Sequence, residues 1–316
     1  MKLHIIVPYH GESKDVYYRL FESLNNQENI DFNNISIYIC RSDGIPVFPD
    51  IIEFTNISPR TTYLSQFYEF SGPGNSRQIA LNLIYGSDLS EDNLDGVLFC
   101  DCDDIISDKF AISSIFYYIE YNSNYNVLIF PYNKLENGEV QDIGEEHSCQ
   151  FTLLSKVFRL KTLKQYYIHN PKELDSNEDY YFTYCIDSIS PLNKYNFNYS
   201  FYLWVVREDS ISHTASSNWF PEPYVKAHII MWNEYKKWRE ANAPFSPIMY
   251  QYGSIIIGLS YILFHSDRKL DIAESQKVFE EYNDIISMRQ SEDEVLSRAS
   301  TKVEECLQKQ LNMEGI

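Results

Sequence analysis

Gly96-Val97-Leu98-Phe99-Cys100-Asp101-Cys102-Asp103-Asp104 is the stretch on which the fold turns. A short apolar run stops abruptly at three carboxylates within four positions. A run of this length, bounded by polar residues, predicts a strand buried on both faces of a mainly parallel sheet. Ending it in Asp-x-Asp places carboxylates at the C-terminal edge of that sheet, where open α/β folds hold ligands. Like charges this close repel unless a cation or hydrogen-bond donors neutralise them. A divalent cation carrying a phosphate meets that need; a plain acidic turn is the other reading these nine residues allow.

Upstream, Leu3 to Val7 predicts a β-branched strand ending at Pro8-Tyr9-His10-Gly11-Glu12. A helix over 15–26 follows, with Val16, Leu20 and Leu24 on one stripe. Ile35 to Cys40 predicts a second buried strand closed by Arg41-Ser42-Asp43-Gly44, and Ile51 to Phe54 a short third. Strand, helix and strand at this spacing form a βαβ unit. Ser71-Gly72-Pro73-Gly74-Asn75-Ser76-Arg77-Gln78 then leads into a helix carrying Ile79, Leu83 and Ile84. Such a loop exposes backbone N–H groups that can attract a phosphate, although it is neither a P-loop nor a dinucleotide fingerprint. A plain loop-to-helix junction is the alternative.

Downstream lie a helix near 108–120, a strand at 127–131, and a polar stretch over 133–149 that reads as a mobile insert or hairpin. Phe151 to Leu163 returns to amphipathic structure. Glu178-Asp179 precedes an aromatic helical run, where acids complement the helix macrodipole. Phe201 to Val206 predicts a strand running into Arg207-Glu208-Asp209-Ser210-Ile211-Ser212-His213. Past Pro221 and Pro223 the pattern becomes helical throughout, which divides the chain into an α/β domain over 1–220 and a helical domain over 221–316.

Composition bounds the function. The 316 residues carry a net charge of −19, the wrong sign for a duplex-binding surface, so no nucleic-acid partner is expected. Aromatic residues make up 16% of the chain, including 26 Tyr, a side chain that offers sugars and bases a flat face with a polar tip. The six cysteines form no Cys-x-x-Cys pattern. Met1-Lys2 runs straight into a strand with no leader pattern. A reducing cytoplasm is the expected location. The most apolar later segment, Ile255 to Phe264, is far short of the roughly 20 residues a membrane span needs, so association with a membrane is expected to be peripheral at most.

The order of these motifs resembles the family-2 glycosyltransferases, whose catalytic domain has the GT-A fold, over about residues 1–216. Ile5-Ile6-Val7-Pro8-Tyr9-His10 looks like that family's first strand and loop. Ser42-Asp43-Gly44 looks like the tail of its Asp-Asp-Gly-Ser motif, with Ser42 replacing the first Asp. Gly72 to Asn82 resembles the Gly-x-x-x-Ala-Arg-Asn helix start, with Arg77 retained and Gln78 replacing Asn. Leu98 to Asp104 matches the Asp-x-Asp-Asp strand; Ser155-Lys156-Val157-Phe158-Arg159 resembles the Lys-Leu-Phe-Arg element; Glu178-Asp179 resembles the acidic pair beside the acceptor. The segment from Arg207 to Ser212 resembles the one that closes the domain.

The resemblance implies an α/β GT-A domain, a mainly parallel sheet flanked by helices, with a helical appendage. It implies inverting transfer of a sugar from a nucleotide diphosphate, most often UDP, to a polysaccharide, glycolipid or protein. Mn²⁺ or Mg²⁺ is the implied cofactor, with Asp103 as principal ligand and His213 as a further one, and Asp104 orienting the others. Pro8, Tyr9, Glu12, Asp43, Arg77 and Asp101 are the implied donor contacts, Arg77 meeting the uracil edge or a phosphate. Asp179 is the implied general base, with Glu178 positioning it or the acceptor hydroxyl. Trp219, Trp232 and Trp238 are candidates for an acceptor groove, and the helical tail for self-association. A nonenzymatic nucleotide-sugar-binding or scaffold subunit is the competing expectation. A nucleotidyltransferase would carry a Gly-rich loop with Arg and Lys after the first strand, which Pro8 to Glu12 lacks.

Overall fold

Strands β1 (Leu3–Pro8), β2 (Ile35–Arg41), β3 (Thr61–Ser65) and β4 (Gly96–Phe99) run parallel in the order β4-β1-β2-β3, in register from Leu3↔Ile35 and Leu3↔Gly96. Every residue of β1 and β4 is buried, as apolar runs without alternation require. Helix α1 (Lys14–Asn25) connects β1 to β2 and buries Tyr17, Leu20, Phe21 and Leu24. Helix α2 (Pro73–Tyr85) follows β3, entered through Gly72 with Pro73 at its first position, where a missing N–H costs nothing. The structure, a computed structural model, describes residues 1–88, 90, 93–142, 152–174, 178–189, 191–207, 230–231, 234–235, 237–238 and 240–242.

Beyond β4 come β5 (Ile105–Ile106), α3 (Ala111–Tyr121), β6 (Val127–Ile129), β7 (Tyr132–Glu136), β8 (Glu139–Asp142) and β9 (Lys156–Arg159). Helices α4 (Leu160–Gln165) and α5 (Glu178–Asp187) precede β10 (Lys194–Asn196) and β11 (Tyr202–Val205). The main sheet has seven strands in the order β10-β6-β9-β4-β1-β2-β3, with β9 antiparallel to both its neighbours. A second sheet of four strands runs β5-β11-β7-β8. This is the mainly parallel α/β architecture expected of the first two-thirds of the chain. Since β1, β2 and β4 are parallel, their following loops gather at one edge.

Several expectations change in detail. Ile51 to Phe54 is a turn, closed by the Phe54 N–H on the Ile51 carbonyl at 3.0 Å, and not a strand. Ile51 and Phe54 are buried, Phe54 packing beside Tyr18 and Phe21 of α1 at 5.0 and 6.5 Å between ring centroids, while Ile52 is exposed. The third strand is β3 instead, an edge strand with exposed positions and therefore no apolar run to announce it. Leu83, placed on the buried stripe of α2, is 51% exposed, while Ile79 and Ile84 are buried. The strand expected over 201–206 forms as β11, in the second sheet. The polar stretch after 132 is a hairpin, β7 paired with β8, turning at Asn137 and Gly138 with φ of 53° and 81°. Positions 143–149 lie outside the described residues.

The chain divides into two compact units, Met1–Asp187 with Pro191–Ser217, and Ser188–Ser190 with Asn218–Ile316. In the second, Met231, Tyr235 and Trp238 are buried and the Tyr235 and Trp238 rings stack at 6.1 Å. Trp219, Trp232 and most of the expected helical region lie outside the described residues. Among the described residues, no helix is long and apolar enough to cross a membrane.

Gly96 sets how closely β4 can approach its neighbours. A Cβ there would fall 2.8 Å from Val157 Cγ1 and 3.3 Å from Leu3 Cδ1, both fully buried. Gly96→Ala is expected to destabilise the fold by about 1–3 kcal/mol through overpacking. Equilibrium denaturation measures it; an unchanged midpoint would mean the sheet is not packed as described.

Candidate active site

The acidic turn Asp101–Asp104 spans the junction of the two sheets, leaving β4 of the main sheet and entering β5 of the smaller one. Its three carboxylates have different partners. Asp104 is fully buried; its Oδ2 accepts from the Tyr202 hydroxyl at 2.7 Å and its Oδ1 from the Val205 N–H at 2.9 Å. The Tyr202 oxygen in turn accepts the Asp101 N–H at 3.0 Å. Asp104 therefore ties the turn to β11. Burial, with Asp101 and Asp103 close by, pushes its carboxyl up.

Asp101 points the other way, its Oδ1 accepting from Arg77 Nη2 at 2.7 Å. Asp103 is met by Arg207 Nη2 at 3.0 Å. Burial and then Asp101 raise the Asp103 carboxyl to about 6, against the pull of Arg207.

Arg77 is the centre of the arrangement. It sits on the second turn of α2 at 2% exposure, in a run from Gly74 to Gln78 that is buried throughout despite being polar or small. Its Nη1 donates to Glu178 Oε1 at 3.0 Å and to Asp179 Oδ1 at 2.9 Å, so one guanidinium holds three carboxylates. Only its Nε lacks a partner. Burial works against the charge, but Asp179, Asp101 and Glu178 together outweigh it, so Arg77 stays protonated. Burial and then Asp179 raise Glu178 to about 7; burial likewise raises Asp179, with Arg77 opposing. One cation against three carboxylates leaves an acidic pair able to take up a proton near neutrality. Asp179 Oδ2 is steadied by the Leu153 N–H at 3.4 Å.

The local sequence explains the convergence. Gly74 allows α2 to sit directly on Glu178: a Cβ there would meet Glu178 Cγ at 2.8 Å. Ser42, standing where the resembled family has Asp, is fully buried and saturated. Its hydroxyl donates to the Gly72 carbonyl at 3.1 Å and accepts from the Gly72 N–H and the Ser76 hydroxyl, each at 3.0 Å. An ionised Asp has no proton for that carbonyl. Gln78 is also internal, its Oε1 accepting the Asn170 N–H at 2.7 Å and its Nε2 donating to Asn82 at 2.7 Å.

The remaining sequence-derived residues occupy the same edge. Pro8 is buried at the end of β1. Tyr9 is 5% exposed, and its hydroxyl donates to the Glu12 carbonyl at 3.1 Å. The Glu12 carboxylate accepts the His10 N–H at 2.8 Å. Asp43 is gripped by Arg41, whose guanidinium lies 5.3 Å from the Tyr9 ring. His213 lies outside the described residues. Arg77, read from the sequence as a contact for uracil or phosphate, makes its hydrogen bonds to three carboxylates. Arg41, Ser42, Tyr202 and Arg207 are structural members that sequence reasoning did not assign. Arg41 carried one signal: a charge ending an otherwise buried strand needs a partner.

Asp101 and Asp103 supply hard oxygen donors suited to Mn²⁺ or Mg²⁺. Among the described residues, no three His, Cys, Asp or Glu side chains form a metal-holding group. Such ions are commonly held by one or two carboxylates with the remaining ligands from substrate phosphates and water, and the two-carboxylate edge fits that pattern.

No protein-family model and no curated protein matches the chain. Solved structures do match in fold. A crystal structure of S. aureus TarS superposes with a TM-score of 0.62 at 17% identity, over 99% of this chain and 54% of that one. The chain thus spans about half the length of that protein. S. aureus TarS 1–349 in complex with UDP-GlcNAc matches at 0.62 and 18% identity, covering 100% of this chain and 92% of that one. The same fragment in complex with UDP gives 0.57 at 18% identity, with the same coverage. At this identity the likeness establishes the α/β fold.

Removing Arg77 leaves its carboxylates unpaired. Arg77→Met is expected to cost about 3–5 kcal/mol at pH 8. Without the guanidinium, Glu178 and Asp179 rise further above their unfolded values. A raised carboxyl contributes stability below its unfolded pKa that is lost as pH climbs through the folded one. The deficit against the parent protein should therefore shrink towards pH 5, as read by denaturation at both pH values. A deficit independent of pH would contradict the counter-ion role.

Proposed function

We propose that this chain is a family-2-like glycosyltransferase that moves a sugar from a nucleotide diphosphate, with inversion, to a hydroxyl acceptor. The observation that carries the proposal is the meeting of Asp101, Glu178 and Asp179 on one buried Arg77, beside Asp103, at the C-terminal edge of the parallel sheet. Ligands of open α/β sheets lie at that edge. That a protein of the same fold holds UDP-GlcNAc supports the choice of donor.

In this reading the diphosphate and sugar lie over Asp101 and Asp103, with the nucleotide towards Asp43, Tyr9 and Glu12. Asp103 would hold Mn²⁺ or Mg²⁺, with His213 as a further ligand. The cation, when bound, offsets the charge that builds on the departing diphosphate. The acceptor oxygen forms a bond to the anomeric carbon as the carbon–oxygen bond to the diphosphate breaks, its electron pair leaving with the diphosphate. The hydroxyl proton passes to Asp179. A carboxyl raised by burial is a better base than a solvated one. Arg77 keeps Asp179 and Asp101 at a fixed separation on either side of the sugar, and Glu178 shares the proton. Asp104 and Tyr202 hold the turn without touching substrate.

Two substitutions separate the roles. Asp103→Ala is expected to abolish Mn²⁺-dependent binding of the donor, measured by calorimetry. Asp179→Asn is expected to leave donor affinity within a few-fold while lowering kcat by about 10²–10⁴. Normal turnover by Asp179→Asn would remove it as the base. A protein that binds donor but yields no transfer to any acceptor would support the scaffold reading instead.

A further inference from the structure

Lys156 opens β9, between β6 and β4 of the main sheet, and is 4% exposed. A buried ammonium carries a desolvation cost and needs acceptors or anions close by. Its side chain lies in a cleft between the sheet and α5, lined also by Phe158, Thr183 and Ile186. The helix over that cleft is the one that opens with Glu178 and Asp179.

Lys156 Nζ donates to the Thr152 carbonyl, four residues back, at 2.5 Å. The chain between them is a tight turn. Ser155 is fully buried with φ of 56°, a left-handed conformation that a side chain disfavours. Its hydroxyl donates to the Pro131 carbonyl at 3.3 Å, and the Thr152 hydroxyl oxygen accepts the Leu154 N–H at 3.0 Å. Lys156 therefore closes a loop over 152–156. Within that loop the Leu153 N–H meets Asp179 Oδ2, at 3.4 Å.

Charge acts in the same direction. Burial raises the Asp179 carboxyl; Arg77 opposes it most, the Leu153 N–H and Lys156 oppose it further, and Asp101 adds to the rise. Glu178 and Tyr180 stand beside it on α5. Arg77 from α2 and Lys156 from β9 are thus two cations bearing on one carboxylate. We infer that Lys156 is a positioning residue for Asp179: its ammonium ties down the Thr152 carbonyl, so that the Leu153 N–H is held against the Asp179 carboxylate from β9 while Arg77 holds it from α2. This rests on the proposed role of Asp179 as the base. Lys156 keeps that base ionised, and able to take the acceptor proton, at a lower pH than burial alone would allow.

The test is a kcat–pH profile of the full chain with Mn²⁺ and a panel of UDP-, GDP- and CDP-sugars, read as nucleoside diphosphate release. The acid limb of that profile belongs to the Glu178–Asp179 pair. A carboxylate that loses a nearby cation holds its proton to higher pH. Lys156→Gln and Lys156→Met should therefore move the limb upwards and lower kcat about tenfold at a pH on it, with the donor KM within a few-fold. Lys156→Arg, which keeps the charge and a donor for Thr152, should leave the limb in place. Circular dichroism establishes which variants are folded. A limb unmoved in folded Lys156→Gln or Lys156→Met, or moved equally far by Lys156→Arg, overturns the inference and leaves the donor site and the base standing. Loss of the fold in both Lys156→Gln and Lys156→Met shows that Lys156 serves folding alone, and overturns it equally. A parent protein that releases no diphosphate from any donor overturns the donor site, and the inference with it.

Discussion

One buried guanidinium holds this site together. Asp101 ends a strand, and Glu178 and Asp179 begin a helix far along the chain, yet all three meet on Arg77. Taking an arginine fully out of water carries a large desolvation cost, which only well-placed carboxylates return. The cluster is thus a poor way to gain stability and an effective way to gain position. It fixes the start of α5 against α2 and the end of β4, and Gly74 gives that contact its closeness. Burial raises both carboxyls of the pair, Glu178 to about 7 with Asp179 adding to the rise, so the packing that places the pair also makes it basic.

The acidic turn divides its labour among its aspartates. Asp104 faces inward to Tyr202 and Val205 and ties the turn to the second sheet. Asp101 faces the Arg77 cluster and Asp103 faces Arg207. A single stretch of chain thereby joins two sheets and turns two carboxylates towards separate arginines. On the neighbouring loop, Arg41 and Asp43 show the same economy: a buried cation orients a half-buried anion.

The parts legible in the sequence were those whose signal is local. Strands β1, β2 and β4 read correctly because burial on both faces writes itself as continuous apolar residues. The pairing of Glu178 with Asp179 at a helix start was equally visible. Strand β3 leaves no apolar run because an edge strand is half exposed, and Ile51 to Phe54 has a strand's pattern because a turn plugging the core is as apolar as a strand. Leu83 followed helical spacing yet faces outward, since α2 buries the polar run from Gly74 to Gln78 instead. Ser42 and Gln78 looked like departures at a binding site; both are internal ties whose partners, Gly72 and Asn170, are distant in sequence. The destination of Arg77 needed contacts across about a hundred residues, which no motif encodes.

The most direct test of the account is nucleoside diphosphate release from a panel of nucleotide sugars, with and without Mn²⁺. A UDP-sugar is expected to be consumed in a metal-dependent reaction, with GDP-sugars and CDP-sugars spared. If no member of the panel is bound or turned over with metal present, the strand edge built around Arg77 and the acidic turn is not a donor site.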